Sequence, residues 1–306
     1  MNLAEKIETI ITEAGIDAGF ALQHLESGEK LAINGDALYP MASVFKIPIM
    51  ATAFHQWEKG AFKLDQRIAL TDADKSIGSG ILPFFDAGVE PTVYDLLTLM
   101  IIISDNTATD ILVDLLGGAP VVEAYMRDIG LADIHFKMNC KELLKTLFPP
   151  DMQDASLEEI EAWMSQQDEP PINLESLAYA RSPENNTSTA SAMTQLNAKI
   201  YLGELGGEEA RKHMLDILSR QQFNVRLSRF FPMGTRFDHK TGTLAGIRNN
   251  SGIMYVDNDN HVAMTLYTAW DEAATWKKPE VSFDMIFAVE TAMGRIGKAV
   301  YEHYAS

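Results

Sequence analysis

Strand-like runs stand at the two ends of this chain, and helix-like runs fill its middle. Near the start, Gly19–Leu25 and Lys30–Ile33 have strand character, with Glu26-Ser27-Gly28-Glu29 between them as a hairpin turn. Near the end, Thr235–Lys240, Ser251–Val256 and His261–Ala269 read the same way, and Asp257-Asn258-Asp259-Asn260 makes the turn between the last two. Between the two sets, apolar residues recur at helical spacing over Ala42–Lys59, with Gly60 as the stop, and over Thr92–Ile103. Thr107–Leu116, closed by Gly117-Gly118, follows, and Ala190–Leu202 and Glu208–Arg220 come later. A helix opens the chain, carried by Leu3, Ile7, Ile10, Ile11 and Ala14, and another closes it over Phe283–His303. Strands so far apart find partners only if the two ends pair. The pattern predicts an α/β (α+β) fold: a five-stranded antiparallel sheet from both termini, flanked by helices, with an all-helical lobe inserted. The expected lobes are 1–40 plus 205–306 and 41–204, within a single domain 1–306.

Residues 137–185 break this pattern. Pro149-Pro150 and Pro170-Pro171 bracket an acidic segment in which Ser156-Leu157-Glu158-Glu159 forms a capping box ahead of Ile160, Trp163 and Met164. This predicts a short helix on a long loop, which is either a lid or surface decoration.

Composition narrows the function classes. The chain has 306 residues, 46% hydrophobic and 22% charged, which is an ordinary globular balance. Its 43 acidic and 25 basic side chains give a net charge of −18, which repels phosphate backbones and argues against nucleic acid as a partner. No run is long and apolar enough for a membrane span, and the first residues lack an apolar signal core, so a cytoplasmic location is expected unless a leader was removed. Cys140 is the single cysteine, so an intrachain disulfide or a thiolate-rich metal site is excluded. The histidines at 24, 55, 135, 213, 239, 261 and 303 show no ligand spacing, and no metal or organic cofactor is expected.

The chemistry concentrates in Tyr39-Pro-Met-Ala-Ser-Val-Phe-Lys-Ile-Pro-Ile-Met50. Ser43 and Lys46 lie three apart at the head of a helix, where such residues share a face. The helix N-terminus favours a developing oxyanion, and the apolar flanks desolvate the lysine, which lowers its pKa toward a value at which it can take a proton from serine. The same spacing in Ser27-Gly28-Glu29-Lys30 lies in the hairpin turn, where the lysine is solvated and of no use as a base. An ordinary alternative for Ser43 is a helix cap beside a surface lysine. Two further triplets weigh against it. Ser104-Asp105-Asn106 follows a buried helix, where serine can relay a proton and asparagine can bond a substrate amide. His239-Lys240-Thr241-Gly242-Thr243 lies at a strand end, where lysine and hydroxyl suit a carboxylate and glycine lets a substrate approach the backbone.

In this order, Ser43-x-x-Lys46, Ser104-Asp105-Asn106 and Lys240-Thr241-Gly242 resemble the three motifs of class A β-lactamases and related penicillin-recognising serine hydrolases. Gly80-Ile81-Leu82-Pro83, Ser104–Asp110, Asn186-Thr187-Ser188-Thr189 and the run from Arg220 to Thr243 extend the resemblance to most of the chain except about 137–180. The last run is closer to the β-lactamase-like hydrolase branch than to the resistance enzymes. The resemblance implies an acyl-enzyme on Ser43 and hydrolysis of an amide, β-lactam or ester bond. It implies that Lys46 moves the serine proton and that Ser104, helped by Lys240, protonates the leaving nitrogen. Asn106 would orient the substrate amide, Lys240 and Thr241 would bind its carboxylate, and the N–H groups of Ser43 and Thr243 would form the oxyanion hole.

One element of the resemblance is missing. Class A enzymes carry Glu-x-x-Leu-Asn before the Asn186 position, and its glutamate activates the deacylating water. Asp168-Glu-Pro-Pro-Ile-Asn-Leu-Glu-Ser176 contains no such pattern, and only Glu169 and Glu175 are offered as the base. Among Arg226, Arg229, Arg236 and Arg248, the sequence does not say which faces the carboxylate. The rival readings are a penicillin-binding, D-alanyl peptidase-like enzyme, a carboxylesterase and a slowly acylating sensor domain.

Overall fold

The two ends of the chain meet in one sheet. The computed structural model describes residues 1–153, 155–166, 173–271 and 279–305. In chain order the helices are α1 (Leu3–Ala14), α2 (Lys46–Glu58), α3 (Val93–Ile102), α4 (Asn106–Leu116) and α5 (Ala119–Asp128). They continue with α6 (Cys140–Lys145), α7 (Leu157–Ser165), α8 (Ala190–Leu202), α9 (Glu208–Ser219) and α10 (Pro279–Tyr304). The strands are β1 (Asp17–His24), β2 (Lys30–Ile33), β3 (Leu38–Pro40), β4 (Ile134–His135) and β5 (Thr187–Thr189), then β6 (Phe237–Leu244), β7 (Ile247–Tyr255) and β8 (His261–Ala269). The main sheet is antiparallel with order β2-β1-β8-β7-β6, so the C-terminal β8 lies beside the N-terminal β1. No described helix is long and apolar enough to cross a membrane.

Both faces of this sheet are covered, which is why β8 reads as a near-continuous apolar run rather than an alternation. Phe20, Leu22, Val262, Met264 and Leu266 point to one face and pack with Ile7 and Ile10 of α1 and Val289, Met293, Ile296 and Val300 of α10. Ala21, Ala263 and Tyr267 point to the other face and join a larger core with α2, α3, α4, α8 and α9. Helix α2 is buried continuously from Lys46 to Phe54, so it has no solvent face over that stretch.

Several boundaries differ from the sequence reading. The strand expected to end at Lys240 runs on to Leu244, and β7 begins at Ile247 after a turn at Ala245-Gly246. Thr-Gly-Thr looks like a turn by composition, yet Thr241, Gly242 and Thr243 pair with Asn250, Asn249 and Arg248. Helix α10 begins at Pro279, ahead of the expected Phe283, because proline is well placed at a helix start. Helices α5 and α6 and the small β3-β5-β4 sheet were not expected. The expected short helix on the 137–185 segment is α7, which packs inward through Ile160 while Trp163 stands edge-on to Phe148.

Candidate active site

Ser43 sits in a 3-10 turn, Ala42–Phe45, that runs straight into α2 at Lys46. Three non-glycine residues have positive φ among the described residues, and two of them, Ala42 (φ 44) and Ser104 (φ 62), are here. Backbone held in that region needs surroundings that over-determine it. Strand β6 supplies them. A Cβ on Gly242 would lie 2.6 Å from the Met41 carbonyl oxygen, so the missing side chain makes room for the serine turn. Asn249 of β7 fastens the same turn by donating to the carbonyls of Pro40 and Met41, at 2.9 and 3.1 Å.

Lys46 is fully buried. Its Nζ donates to the Ser104 carbonyl at 2.7 Å and to Asn106 Oδ1 at 2.8 Å, and lies 3.0 Å from Ser104 Oγ. Burial is the main cause that pushes the amine pKa down. The amine and the Ser104 hydroxyl are therefore within reach of one another for passing a proton. The Ser43 carbonyl accepts from the Lys46 backbone N–H, and Ser43 lines the same cavity as Ser104 and Asn106.

The second triplet is held by Asp105. It caps α4 through Ala108 N–H at 2.9 Å and accepts from the N–H groups of Ile81 and Leu82, at 2.7 and 2.9 Å. Asn106 donates to the Ile77 carbonyl at 2.8 Å, and Ser79 donates to the Ser104 carbonyl at 2.7 Å. The Gly80-Ile81-Leu82 resemblance therefore has a physical basis: this segment fixes the Asp105 side chain.

The cavity, about 500 Å³, is also lined by Thr241, Thr243, Arg226, Arg248 and Glu290. Lys240 is fully buried and donates to the Thr241 carbonyl at 2.7 Å instead of standing in the cavity wall. Burial, Lys46 and Arg226 push its amine well down. Of the four arginines, Arg226 and Arg248 line the cavity. Arg226 donates to the carbonyls of Gly242 and Asn249, at 2.6 and 2.7 Å, and to Thr243 Oγ1 at 2.5 Å. Burial, with Arg248 nearby, pushes it down to about 9. Arg236 instead pairs with Asp238, and Arg229 pairs with Glu290 and lies over the Phe230 and Phe287 rings. Buried His239 bridges Asn224 and Asn250, at 2.9 and 3.0 Å, and so ties β6 to the segment that carries Arg226.

Of the two expected deacylation bases, only Glu175 lies within the described residues. Glu175 is exposed and does not line the cavity. Glu169 lies outside the described residues. The part of the 137–185 segment that does form the wall is Cys140, Leu143 and Leu144. Asp110 places it, accepting from Cys140 N–H at 2.6 Å, Lys141 N–H at 3.0 Å and the Ser76 hydroxyl at 2.6 Å. Asn186 holds its approach by accepting from the N–H groups of Lys137 and Met138, at 2.7 and 3.0 Å. Cys140-Lys141-Glu142-Leu143-Leu144 has a leucine in the fourth position, as Glu-x-x-Leu-Asn does, and begins with a cysteine. Burial, aided by Asp110, pushes that thiol well up, so it stays protonated. Sequence reading placed this wall too late in the chain, and the fourth-position leucine was the available signal.

A profile of a family described as the beta-lactamase enzyme family matches residues 2–304. Beta-lactamase VEB-1 of Pseudomonas aeruginosa is 25% identical over 279 residues, covering 88% of this chain and 82% of that protein. Beta-lactamase L2 of Stenotrophomonas maltophilia is 27% identical over 284 residues, covering 91% and 79%. The crystal structure of a beta-lactamase from Sphaerobacter thermophilus superposes with a TM-score of 0.76 at 26% identity, covering 99% of this chain and 96% of that one. The structure of PBP-A gives 0.74 at 21% identity over 99% and 96%, a likeness of fold.

Proposed function

This chain belongs to the beta-lactamase enzyme family and is a β-lactamase-like serine hydrolase, and from that premise we propose that it works through an acyl-enzyme on Ser43. Ser43 Oγ attacks the carbonyl carbon of an amide, β-lactam or ester, and its proton passes to the Lys46 amine. The oxyanion is held by the N–H groups of Ser43 and Thr243, and each such donor is worth about 3 kcal/mol in the transition state. The C–N or C–O bond then breaks. The Ser104 hydroxyl gives its proton to the leaving atom and regains one from Lys46, 3.0 Å away. Asn106 orients the substrate amide, Lys240 holds Thr241 and the strand in place, and Thr241, Thr243 and Arg226 receive a substrate carboxylate. The observation that carries this reading is the buried Lys46 amine, lowered in pKa and set against Ser104 and Asn106 in the wall of the cavity that Ser43 lines.

A second reading, slow deacylation, is favoured by the Cys140, Leu143 and Leu144 wall. Hydrolysis of the ester on Ser43 needs a base beside the attacking water. Three apolar or protonated side chains there offer none, so the acyl group persists with β-lactams, as expected of a penicillin-binding or sensor protein.

Both readings are tested with a chromogenic cephalosporin and, separately, a nitrophenyl ester, following absorbance and intact mass. Turnover of the cephalosporin supports a β-lactamase. A stable adduct supports slow deacylation, and ester turnover alone supports an esterase. Ser43→Ala abolishes all three, and activity that survives the substitution rejects the proposed nucleophile.

A further inference from the structure

The cavity wall carries two apolar side chains that folding leaves in water. Phe223 and Val225 line the cavity, yet they are 43% and 49% exposed. The segment between α9 and β6 that carries them is pinned by its polar residues. Gln221 donates through Nε2 to the Ile101 carbonyl at 2.8 Å and accepts from the N–H groups of Gln222 and Phe223, at 2.9 and 3.1 Å. Asn224 donates to the Gln221 carbonyl at 3.0 Å, and Arg226 turns in on β6 and β7. Phe223 and Val225 alternate with these anchors and are the apolar side chains that the segment presents to the cavity. Side chains so exposed keep part of their transfer free energy for a later contact.

The anchors also give this wall a side. The Gln222 N–H donates to the Ile102 carbonyl at 3.1 Å, next to the Gln221 bond to Ile101. The segment therefore hangs on the end of α3, just ahead of Ser104, the group assigned to the leaving atom. The Leu144 wall keeps instead to Asn106, on the amide side. A Cβ on Gly78 would lie 2.7 Å from Asn106 Nδ2 and 3.4 Å from Leu144 Cδ1.

We propose that Phe223 and Val225 are specificity-determining residues that receive a bulky apolar leaving group. The substrate class is then aryl or long-alkyl esters and amides, whose departing alcohol or amine is covered by the two side chains while Ser104 protonates it. This deepens the reading of the cavity as the substrate site and rests on it.

The test compares phenyl acetate with 2-naphthyl acetate, which differ in the apolar area of the leaving group. It also compares phenyl acetate with phenyl hexanoate, which differ in the acyl group. Each is measured with the wild-type protein and with Phe223→Ser/Val225→Ser. The ratio of kcat/KM for the naphthyl over the phenyl ester should fall about tenfold in the variant, while the hexanoate-to-acetate ratio moves less than about twofold. Phe223→Leu/Val225→Leu should restore the naphthyl preference, because apolar area is what the pair supplies. An unchanged naphthyl ratio, or an equal fall in both ratios, overturns the proposal. Titration of 2-naphthol into Ser43→Ala and into Ser43→Ala/Phe223→Ser/Val225→Ser, followed by its fluorescence, reads the same wall without catalysis. Binding about tenfold weaker in the triple variant is expected, and equal binding contradicts the proposal. This binding difference survives even if Ser43 is not the nucleophile, so the two readings fail separately.

Discussion

Lys46 and Lys240 are both fully buried, and burial pushes both amines down, but their surroundings differ. Lys46 satisfies two fixed acceptors and faces the Ser104 hydroxyl, whereas Lys240 donates to one carbonyl. Lys46→Arg is therefore expected to remove acylation, because arginine keeps its charge and cannot accept the serine proton. In the wild-type protein the acylation rate should rise with pH through the depressed Lys46 value, since only the neutral amine is a base; stopped-flow acylation across pH checks this. Lys240→Met should lose activity yet gain roughly 1–4 kcal/mol of stability at neutral pH, because a desolvated amine is replaced by apolar volume. For a base with a depressed folded pKa, the unfolded state binds the extra proton. The penalty thus shrinks as pH rises toward the ordinary lysine value. The stability gap between Lys240→Met and wild type should narrow accordingly in thermal melts between pH 7 and 9. At this scale the three motifs were legible because each is compact: one helical turn, one interhelical corner and one strand segment. Glu290 was not, because it belongs to an ordinary amphipathic helix far along the chain, and only packing brings it to the cavity. Cys140 was missed for a related reason, since the segment after it displaced the expected alignment.

The serine turn, β6 and the Asp110 anchor decide whether these groups meet. Gly242→Ala places a methyl 2.6 Å from the Met41 carbonyl, a backbone atom that can yield only by moving the turn that carries Ser43. The expected cost is about 1–3 kcal/mol in stability. A displacement of this kind lowers the acylation rate about 100-fold, which kinetics and melts together will read. Asp110→Ala frees two backbone N–H groups and a serine hydroxyl at once. The α6 wall should loosen, and hydrogen exchange at Cys140 and Lys141 should rise while that of the β-sheet is unchanged. The long elements were readable from periodicity because each buries one face or, for β8 and α2, all of it. The pieces of two or three residues in β3, β4 and β5 carry no period, and β6 was cut short because Thr-Gly-Thr resembles a turn. Their positions follow from pairing across the sheet, which the local sequence does not encode.

At the scale of the molecule, one sheet separates two apolar cores, and its strands contribute alternate side chains to each. Neither core closes without the sheet, so fluorescence and far-UV circular dichroism are expected to report a single coincident unfolding transition. Separate transitions would mean that the two sides fold independently. The net charge of −18 adds that the protein should show no retention on immobilised DNA at low salt. Pairing of the two chain ends was legible from the order of strands and helices, and it is what brings Thr241 and Arg226 to the cavity that Ser43 and Ser104 line. The account stands on an acyl group carried by the oxygen of residue 43 under the control of the buried amine at 46. The most direct measurement is mass mapping of peptides after incubation with a β-lactam. A single adduct on Ser43, absent in Lys46→Arg, is predicted; an adduct elsewhere, or one on Ser43 that forms equally fast without Lys46, contradicts it.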